Sequence, residues 1–280
     1  MPIRATEFVR KLRGGAQAHL MKAQDGHHYA VKFQTNPQGR RVLVNEWIAH
    51  SIFEQLRISS AKVAAIEITA EFLAANPQVN LQRGSGFDPP EPGWHFGSRL
   101  ADDPNRVGFY DFVPDQLLGQ VANLTDFLGA LVVDRWLANV DARQAVFFRA
   151  KVKSWVPSSP AHRSKVGFVA MMIDHGYTFG GPRWEFSDAA GYGLYHRPIV
   201  YQGVESLKSF DPWLEQVLHF PESVLETARN SLPPQWIDGE ESLVDQMLNT
   251  LLSRRKKVPA LLELCRSGST NPFPRWTTNR

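Results

Sequence analysis

The sequence contains a single cysteine, Cys265, among its 280 residues. One thiol cannot close a disulfide within the chain, and it cannot supply the several thiolates of a cysteine-based structural zinc site. So little cysteine favours a reducing compartment, and we expect a cytoplasmic location.

Long apolar runs are also lacking. A membrane-spanning helix needs about 20 consecutive apolar residues, and no stretch of the chain reaches that length. The amino terminus likewise has no long apolar stretch after its first positive charge. We therefore expect no membrane span.

No strong charge imbalance is present either. Lysine and arginine number 31 against 28 acidic residues, which leaves a formal charge of +3 and a pI near 9.0. The densest basic group, residues 254–257, follows an apolar helical pattern and is interpreted as a helix C-terminus facing its own dipole. We expect no nucleic acid as the main partner.

The 43% hydrophobic content is enough for a substantial core. Short apolar runs broken by turn signals predict a β-meander over residues 8–33. Helical spacing then predicts a helix from about Arg40 to Leu56. Further strands are predicted at residues 61–68 and 94–98, with a surface loop over residues 76–93.

The second half of the chain is mainly helical. Apolar spacing predicts two packed helices over residues 117–132 and more helices over residues 211–264. Two β-like runs, residues 145–148 and 168–173, interrupt them and flank a basic loop over residues 151–165. The predicted fold class is α+β, with a small β-rich half followed by a larger α-rich half.

Gly14-Gly15 alone would mark only a turn. At a predicted strand-turn-strand, however, its exposed N–H groups can approach phosphate oxygens. Lys32 lies in an apolar strand one hairpin later, and Glu46 lies in the next helix. Each alone would be an ordinary exposed residue, but together they follow the order of a kinase amino lobe, where the glutamate holds a phosphate-binding lysine.

The segment from Asp134 to Gln144 holds two aspartates, two amides and two arginines. A phosphoryl-transfer enzyme needs an aspartate to orient the acceptor hydroxyl and an amide nearby for a metal ion. A helix C-terminus with polar caps is the alternative interpretation. Downstream, Asp174 ends an apolar strand and precedes Gly176, which suits a carboxylate directed at a divalent cation.

These segments resemble the HipA-like branch of the protein-kinase-like superfamily, which also resembles type II phosphatidylinositol 4-kinases. The resemblance runs from about Phe8 to Leu264. The motifs that carry it are Gly14-Gly15, Val31-Lys32-Phe33, Asn45-Glu46-Trp47, Trp136-x-x-Asn139-x-Asp141 and Ile173-Asp174-His175-Gly176.

The resemblance implies a bilobal kinase fold, with an amino lobe over residues 1–112 and a carboxy lobe over residues 113–280. It implies ATP and Mg²⁺ as cofactors. Because the first glycine pair comes so early, we expect no extra amino-terminal subdomain. The implied catalytic residues are Asp141 as base, Lys32, Asn139 and Arg143; the implied nucleotide-binding residues are Gly14, Gly15, Lys32 and Glu46; the implied metal ligands are Asp174 and Gln144.

Two features depart from the family pattern. The asparagine that binds metal a few residues beyond the catalytic aspartate is missing from residues 142–146, so Gln144 or Asn139 must substitute or the second metal is held poorly. HipA toxins carry a serine in or near the phosphate loop whose autophosphorylation inactivates them. Residues 14–20 contain no hydroxyl for that control.

The leading hypothesis is an ATP-dependent kinase acting on a hydroxyl, with a serine or threonine of a protein as acceptor and an antitoxin-type regulator as a further partner. Two alternatives stay open because a fold does not fix a substrate. One is a small-molecule or lipid kinase. The other is a pseudokinase that binds nucleotide and acts as an interaction module.

Overall fold

The structure is a computed structural model that describes residues 1–156, 166–269 and 271–276. The predicted basic loop over residues 151–165 therefore lies largely outside the described residues. Sheets and helices are both present, so the predicted mixed α+β class is confirmed.

The amino-terminal part forms a closed barrel with strand order β1-β2-β3-β7-β4. The predicted meander supplies its first three strands. Closure comes from β1, which pairs antiparallel with β2 and parallel with β4. The strands are β1 (Ile3–Lys11), β2 (His19–Ala23), β3 (His28–Lys32), β4 (Val63–Ile68) and β7 (Gly93–Arg99).

Helix α1 (Arg41–Gln55) follows β3 and is buried on most of its surface, including the polar residues Asn45 and Glu46. A shorter helix, α2 (Ala70–Ala75), follows β4. The predicted loop over residues 76–93 is wrong in part, because it contains the hairpin of β5 (Leu81–Arg83) and β6 (Gly86–Asp88). Gly84 adopts a φ of 57° in the turn of that hairpin, a conformation that glycine permits without strain.

The remainder is mainly helical and contains one antiparallel strand pair, β8 with β9. The predicted pair of packed helices over residues 117–132 is only partly correct, because the first of them is a single turn. The elements are α3 (Asp115–Leu118), α4 (Asp126–Trp136), β8 (Gln144–Lys151), β9 (Val166–Ile173), α5 (Trp213–Leu218), α6 (Glu222–Asn230), α7 (Pro234–Ile237), α8 (Glu241–Arg254) and α9 (Val258–Leu264).

Helix α1 belongs to the core of the helical part although it follows the barrel strands in sequence. Its apolar residues pack in one cluster with those of α4 and α6, whereas the barrel interior has a separate apolar core. Trp47 Nε1 also donates to Oγ of Ser231, just beyond α6, at 2.9 Å. The position of α1 is therefore set by the helical part.

Arg254, in the basic group at residues 254–257, is buried and donates to both carboxylate oxygens of Asp188. Its guanidinium has a structural partner within the fold. Among the described residues, no helix combines the length and the apolar character that crossing a membrane requires.

Candidate active site

Lys32 is the last residue of β3, and its ammonium lies between two carboxylates. Nζ donates to Oε1 of Glu46 at 2.5 Å and to Oδ1 of Asp174 at 2.8 Å. Glu46 belongs to α1 and Asp174 follows β9, so three segments that are distant in sequence meet at one nitrogen. The Lys32–Glu46 ion pair that the residue order predicts is present.

Glu46 joins two parts of the site because its two oxygens accept different hydrogen bonds. Oε1 accepts from Lys32, and Oε2 accepts from the backbone N–H of His175 at 3.0 Å. Burial raises the pKa of the Glu46 carboxyl, while the Lys32 ammonium and the His175 N–H act in the opposite direction. This side chain links β3 to the segment that follows β9.

Asp174 adopts a φ of 58°, in the left-handed region that residues other than glycine rarely occupy. Such strain is concentrated at functional sites. Burial raises the pKa of the carboxyl, but the charges of Lys32 and Arg143 outweigh burial, and the pKa lies below its ordinary value. The side chain is 34% exposed, so an ionised carboxylate faces a space that a ligand can reach.

Burial lowers the pKa of Lys32, but the carboxylates of Glu46 and Asp174 outweigh it, so the pKa is raised above its ordinary value. The ammonium is therefore charged at neutral pH. With a side-chain exposure of 11%, it is a cation held in a fixed place by two anions. Such a cation can bind an anionic ligand without losing its position.

Gln144 is the first residue of β8 and lies beside the end of β9. It pairs in register with Ile173, which places its side chain next to that of Asp174. Nε2 of Gln144 lies 3.2 Å from Oδ2 of Asp174, and the glutamine is exposed. The carboxylate and the amide, predicted together as metal ligands, lie side by side.

Asp134 organises the turn between α4 and β8 from a completely buried position. Its two oxygens accept from Arg143, with Nε at 2.8 Å and Nη2 at 2.7 Å. Nδ2 of Asn139 donates to the same carboxylate at 3.0 Å. Arg143 also donates from Nη1 to the carbonyl of Ile173 at 2.8 Å, so this arginine ties the turn to the end of β9.

Asp141 differs from Asp134 because it is exposed. Its Oδ1 accepts the backbone N–H of Ala142 at 2.7 Å. Oδ2 has no hydrogen-bond partner among the described residues. Its backbone is fixed on both sides, since its N–H donates to Asn139 and its carbonyl accepts from Gly193. The loop is thus rigid while one carboxylate oxygen stays available.

These contacts change two of the expected roles. Arg143 and Asn139 are buried, with exposures of 3% and 0%. The amide of Asn139 uses its nitrogen on Asp134 and its oxygen on the N–H of Asp141. Both side chains use their polar atoms on protein groups, so the geometry favours positioning roles for both and leaves Gln144 as the amide beside Asp174.

His175 is buried between Arg143 and helix α1. Its Nδ1 lies 3.2 Å from Nη1 of Arg143, and its ring packs against Phe53 of α1 with centroids 4.4 Å apart. Burial lowers its pKa well below the ordinary value, and the nearby Arg143 lowers it further. The imidazole is neutral at neutral pH and has the packing role that its place beside Asp174 suggests.

The glycine pair lies in the exposed turn between β1 and β2. Gly14 has a φ of 121°, and a Cβ on Gly15 would lie only 2.8 Å from Nε2 of Gln38. A side chain at Gly14 would therefore strain the backbone, whereas one at Gly15 would only require the end of the Gln38 side chain to move. Gln17, in the same turn, is fixed to Gln82 by two hydrogen bonds.

Sequence reasoning missed the role of Asn45. Asn45 donates from Nδ2 to the carbonyls of Gly176 and Thr178 at 2.7 and 3.0 Å. These bonds hold the segment that follows Asp174 against α1. The only signal for Asn45 in the sequence is its position directly before Glu46 in a helix.

Within the described ranges, no group of three or more histidine, cysteine, aspartate or glutamate side chains is placed to hold a metal ion. The oxygens available are those of Asp174 and of the Gln144 amide, once that amide turns its oxygen toward the ion. Mg²⁺ is usually bound by one or two carboxylates together with substrate phosphates and water. The residues present fit a cation that arrives with a phosphorylated ligand.

A sequence model described as HipA-like kinase matches residues 5–145. A crystal structure of the Golgi casein kinase with Mn/ADP bound is similar at 9% identity and a TM-score of 0.46, covering 94% of this chain and 72% of that one. Another Golgi casein kinase structure gives 10% identity and a TM-score of 0.47, with 97% and 75% covered. No curated protein sequence matches the chain.

Proposed function

The chain belongs to the HipA-like kinase family, and from this premise we propose that it is an ATP-dependent kinase that transfers the γ-phosphoryl group to a hydroxyl. The acceptor proposed is a serine or threonine of a protein. In this proposal the barrel and α1 form an amino lobe over residues 1–112, residues 113–280 form the carboxy lobe, and the nucleotide lies between them.

The observation that carries the proposal is the ammonium of Lys32 held between Glu46 and Asp174. Phosphoryl transfer depends on positioning and on compensating negative charge, and a fixed cation beside a metal-binding carboxylate does both. Lys32 would bind the α- and β-phosphates, and the exposed N–H groups at Gly14 and Gly15 would cover the phosphates.

Mg²⁺ would be held by Asp174 and Gln144 and would offset the charge of the phosphate oxygens. Asp174 suits this role because its pKa is depressed, so it presents a full negative charge at neutral pH. Lys32 donates to Oδ1 of Asp174, which leaves Oδ2, beside Gln144, to bind the cation.

Asp141 would accept the proton of the acceptor hydroxyl. Its exposed carboxylate has one oxygen without a hydrogen bond among the described residues, and a general base needs that oxygen within reach of the substrate. Asp134, Arg143 and Asn139 would hold the loop in place without touching the substrate.

One observation favours the pseudokinase alternative. The asparagine that binds a second metal in protein kinases lies five residues after the catalytic aspartate, and that position is Val146 here, paired with Met171 inside the β8-β9 hairpin. A single cation between Asp174 and Gln144 must then suffice for transfer. A small-molecule or lipid kinase remains the alternative for the acceptor.

Incubation of the protein with radiolabelled ATP, Mg²⁺ and a lysate of the host tests the proposal. We expect label in a protein fraction for the wild type and none for Asp174→Ala. Label in the lipid or small-molecule fraction would replace the protein acceptor with the alternative. Binding of ATP with no transfer to any fraction would support the pseudokinase.

A further inference from the structure

A cavity of about 670 Å³ lies where the end of α1, the segment between α1 and β4, and the starts of α4 and α5 meet. None of the residues assigned to the phosphate, metal or base roles lines it. Its volume lies within the usual range for sites that bind small organic molecules. Its wall includes His50, Ser59, Asp126, Trp155, Trp213 and Gln216.

Among the residues of this wall, Asp126 has the carboxylate that can bind a charged ligand. The residue is 9% exposed, and its Oδ2 accepts from the N–H of Ser59 and from Nδ2 of Asn123, both at 2.9 Å. These bonds tie the segment after α1 to the start of α4. The Ser59 hydroxyl also interacts with this carboxyl and lowers its pKa, whereas Oδ1 is not enclosed by protein and is open to a ligand.

Asp126 also lacks a counter-ion. Lys62 and Arg57 border the same cavity, yet neither forms an ion pair with this carboxylate in the described parts of the chain. A buried carboxylate without a cation is costly, and burial raises its pKa accordingly. An ammonium group at Oδ1 would supply the counter-ion that Asp126 lacks among the described residues.

The rest of the wall provides an apolar surface. The indole of Trp213 packs on the backbone of α4, where a Cβ on Gly129 would lie 2.7 Å from its ring. Trp155 packs edge-on against Phe148 with centroids 5.0 Å apart. Both tryptophans border the cavity with part of their surface exposed, and aromatic rings of this kind bind the body of a ligand and attract cations.

We propose that this cavity is a binding site for a small organic amine with an aromatic or apolar body. The ammonium donates to Oδ1 of Asp126, and the body of the ligand packs against Trp213 and Trp155. No covalent step is involved.

Calorimetric titration of the full chain with phenethylamine, and with its uncharged counterpart phenethyl alcohol, tests the site without an activity assay. We expect the amine to bind about tenfold more tightly than the alcohol, because only the amine forms a charge-assisted hydrogen bond. Asp126→Asn keeps an acceptor for Ser59 and Asn123, so the variant should fold. It should lose that preference and leave alcohol binding unchanged.

Asp245→Asn is the matched control, because Asp245 is an exposed carboxylate paired with Arg229 outside the cavity wall. It should retain the preference for the amine. No saturable binding of either probe, equal affinities for both, an unchanged preference in Asp126→Asn, or displacement of the amine by ADP would each overturn the site. If amine binding depends on Asp126 but the wild type shows no transfer, the site stands and the proposed function fails.

Discussion

Asp134, in the last turn of α4, and Asp141, in the loop between α4 and β8, are close in sequence, yet their surroundings have little in common. Asp134 is 0% exposed and accepts from Arg143 and Asn139. Asp141 is exposed, and its side chain accepts only from the N–H of the next residue. Both oxygens of Asp134 accept from the buried guanidinium of Arg143, so this carboxylate holds the loop in place. Asp141 has one oxygen without a partner among the described residues, which a proton acceptor requires.

The same division runs through the whole site. Arg143, Asn139 and His175 are buried and bound to one another or to backbone, and no substrate can reach them. Gln144 and Asp174 are partly open and lie side by side. We therefore expect substitutions in the buried network to lower stability and substitutions at the exposed side chains to lower the rate of transfer.

The largest expected effect is on stability, at Asp134. Asp134→Ala leaves the fully buried guanidinium of Arg143 without its counter-ion, and breaking a buried pair in this way costs about 3–5 kcal/mol of unfolding free energy. Urea denaturation measures the loss. Asp115→Ala, which breaks an exposed pair with Arg197, is the control and should cost less than about 1 kcal/mol. Equal losses for the two variants would remove the distinction.

Asp141→Asn should show the opposite behaviour. Loss of a general base lowers the rate of transfer by about 10² or more, whereas unfolding and ATP affinity stay close to wild type because Asp141 contacts neither core nor phosphates. Radiolabel transfer or slow ATP hydrolysis gives the rate. Full turnover in Asp141→Asn together with its loss in a folded Asp134→Asn would show that the base is Asp134 and not Asp141.

Within the open part of the site, Asp174 and Gln144 should differ in degree. Asp174→Ala removes a full charge and should weaken Mg²⁺-dependent ATP binding roughly tenfold or more, whereas Gln144→Ala removes only a dipole and should cost less. Calorimetry with ATP in the presence and absence of Mg²⁺ separates the metal contribution. Equal losses would place the metal elsewhere.

The smallest expected effect is on the pH dependence of stability, which involves the buried His175. The pKa of His175 is lowered in the folded state by burial and then by Arg143, so below about pH 6.5 the unfolded chain binds a proton that the folded chain does not. Stability therefore falls as the pH drops through that value. His175→Asn should reduce the loss between about pH 7.5 and about pH 5.5 by roughly 1 kcal/mol. The wild type, measured in parallel over the same pH range, gives the reference loss.

Residue order and periodicity predicted much of this arrangement. The helix expected from Arg40 to Leu56 is α1, from Arg41 to Gln55, and Glu46 meets Lys32 as its place after an apolar strand predicts. Apolar spacing depends only on the local sequence, so the helix that it predicts is also found in the folded protein. Asp174 and Gln144, the metal ligands that the family resemblance implies, lie side by side because Gln144 pairs in register with Ile173.

Other features depend on contacts that no local pattern encodes. The parallel pairing of β1 with β4 closes the barrel through residues far apart in sequence. The choice of Arg143 as the partner of Asp134, with Asp141 left free, depends on which side chain the fold buries. Gln235, which accepts from Gln34 and from the N–H of Trp94, carries no signal in the sequence at all.

A crystal structure of the protein with ADP and Mg²⁺ tests the central claim most directly. The account predicts the phosphates against Lys32 and the glycine turn, and the cation bound to Asp174 with the oxygen of the Gln144 amide turned toward it. A nucleotide bound away from Lys32, or a cation with no contact to Asp174, would contradict the account.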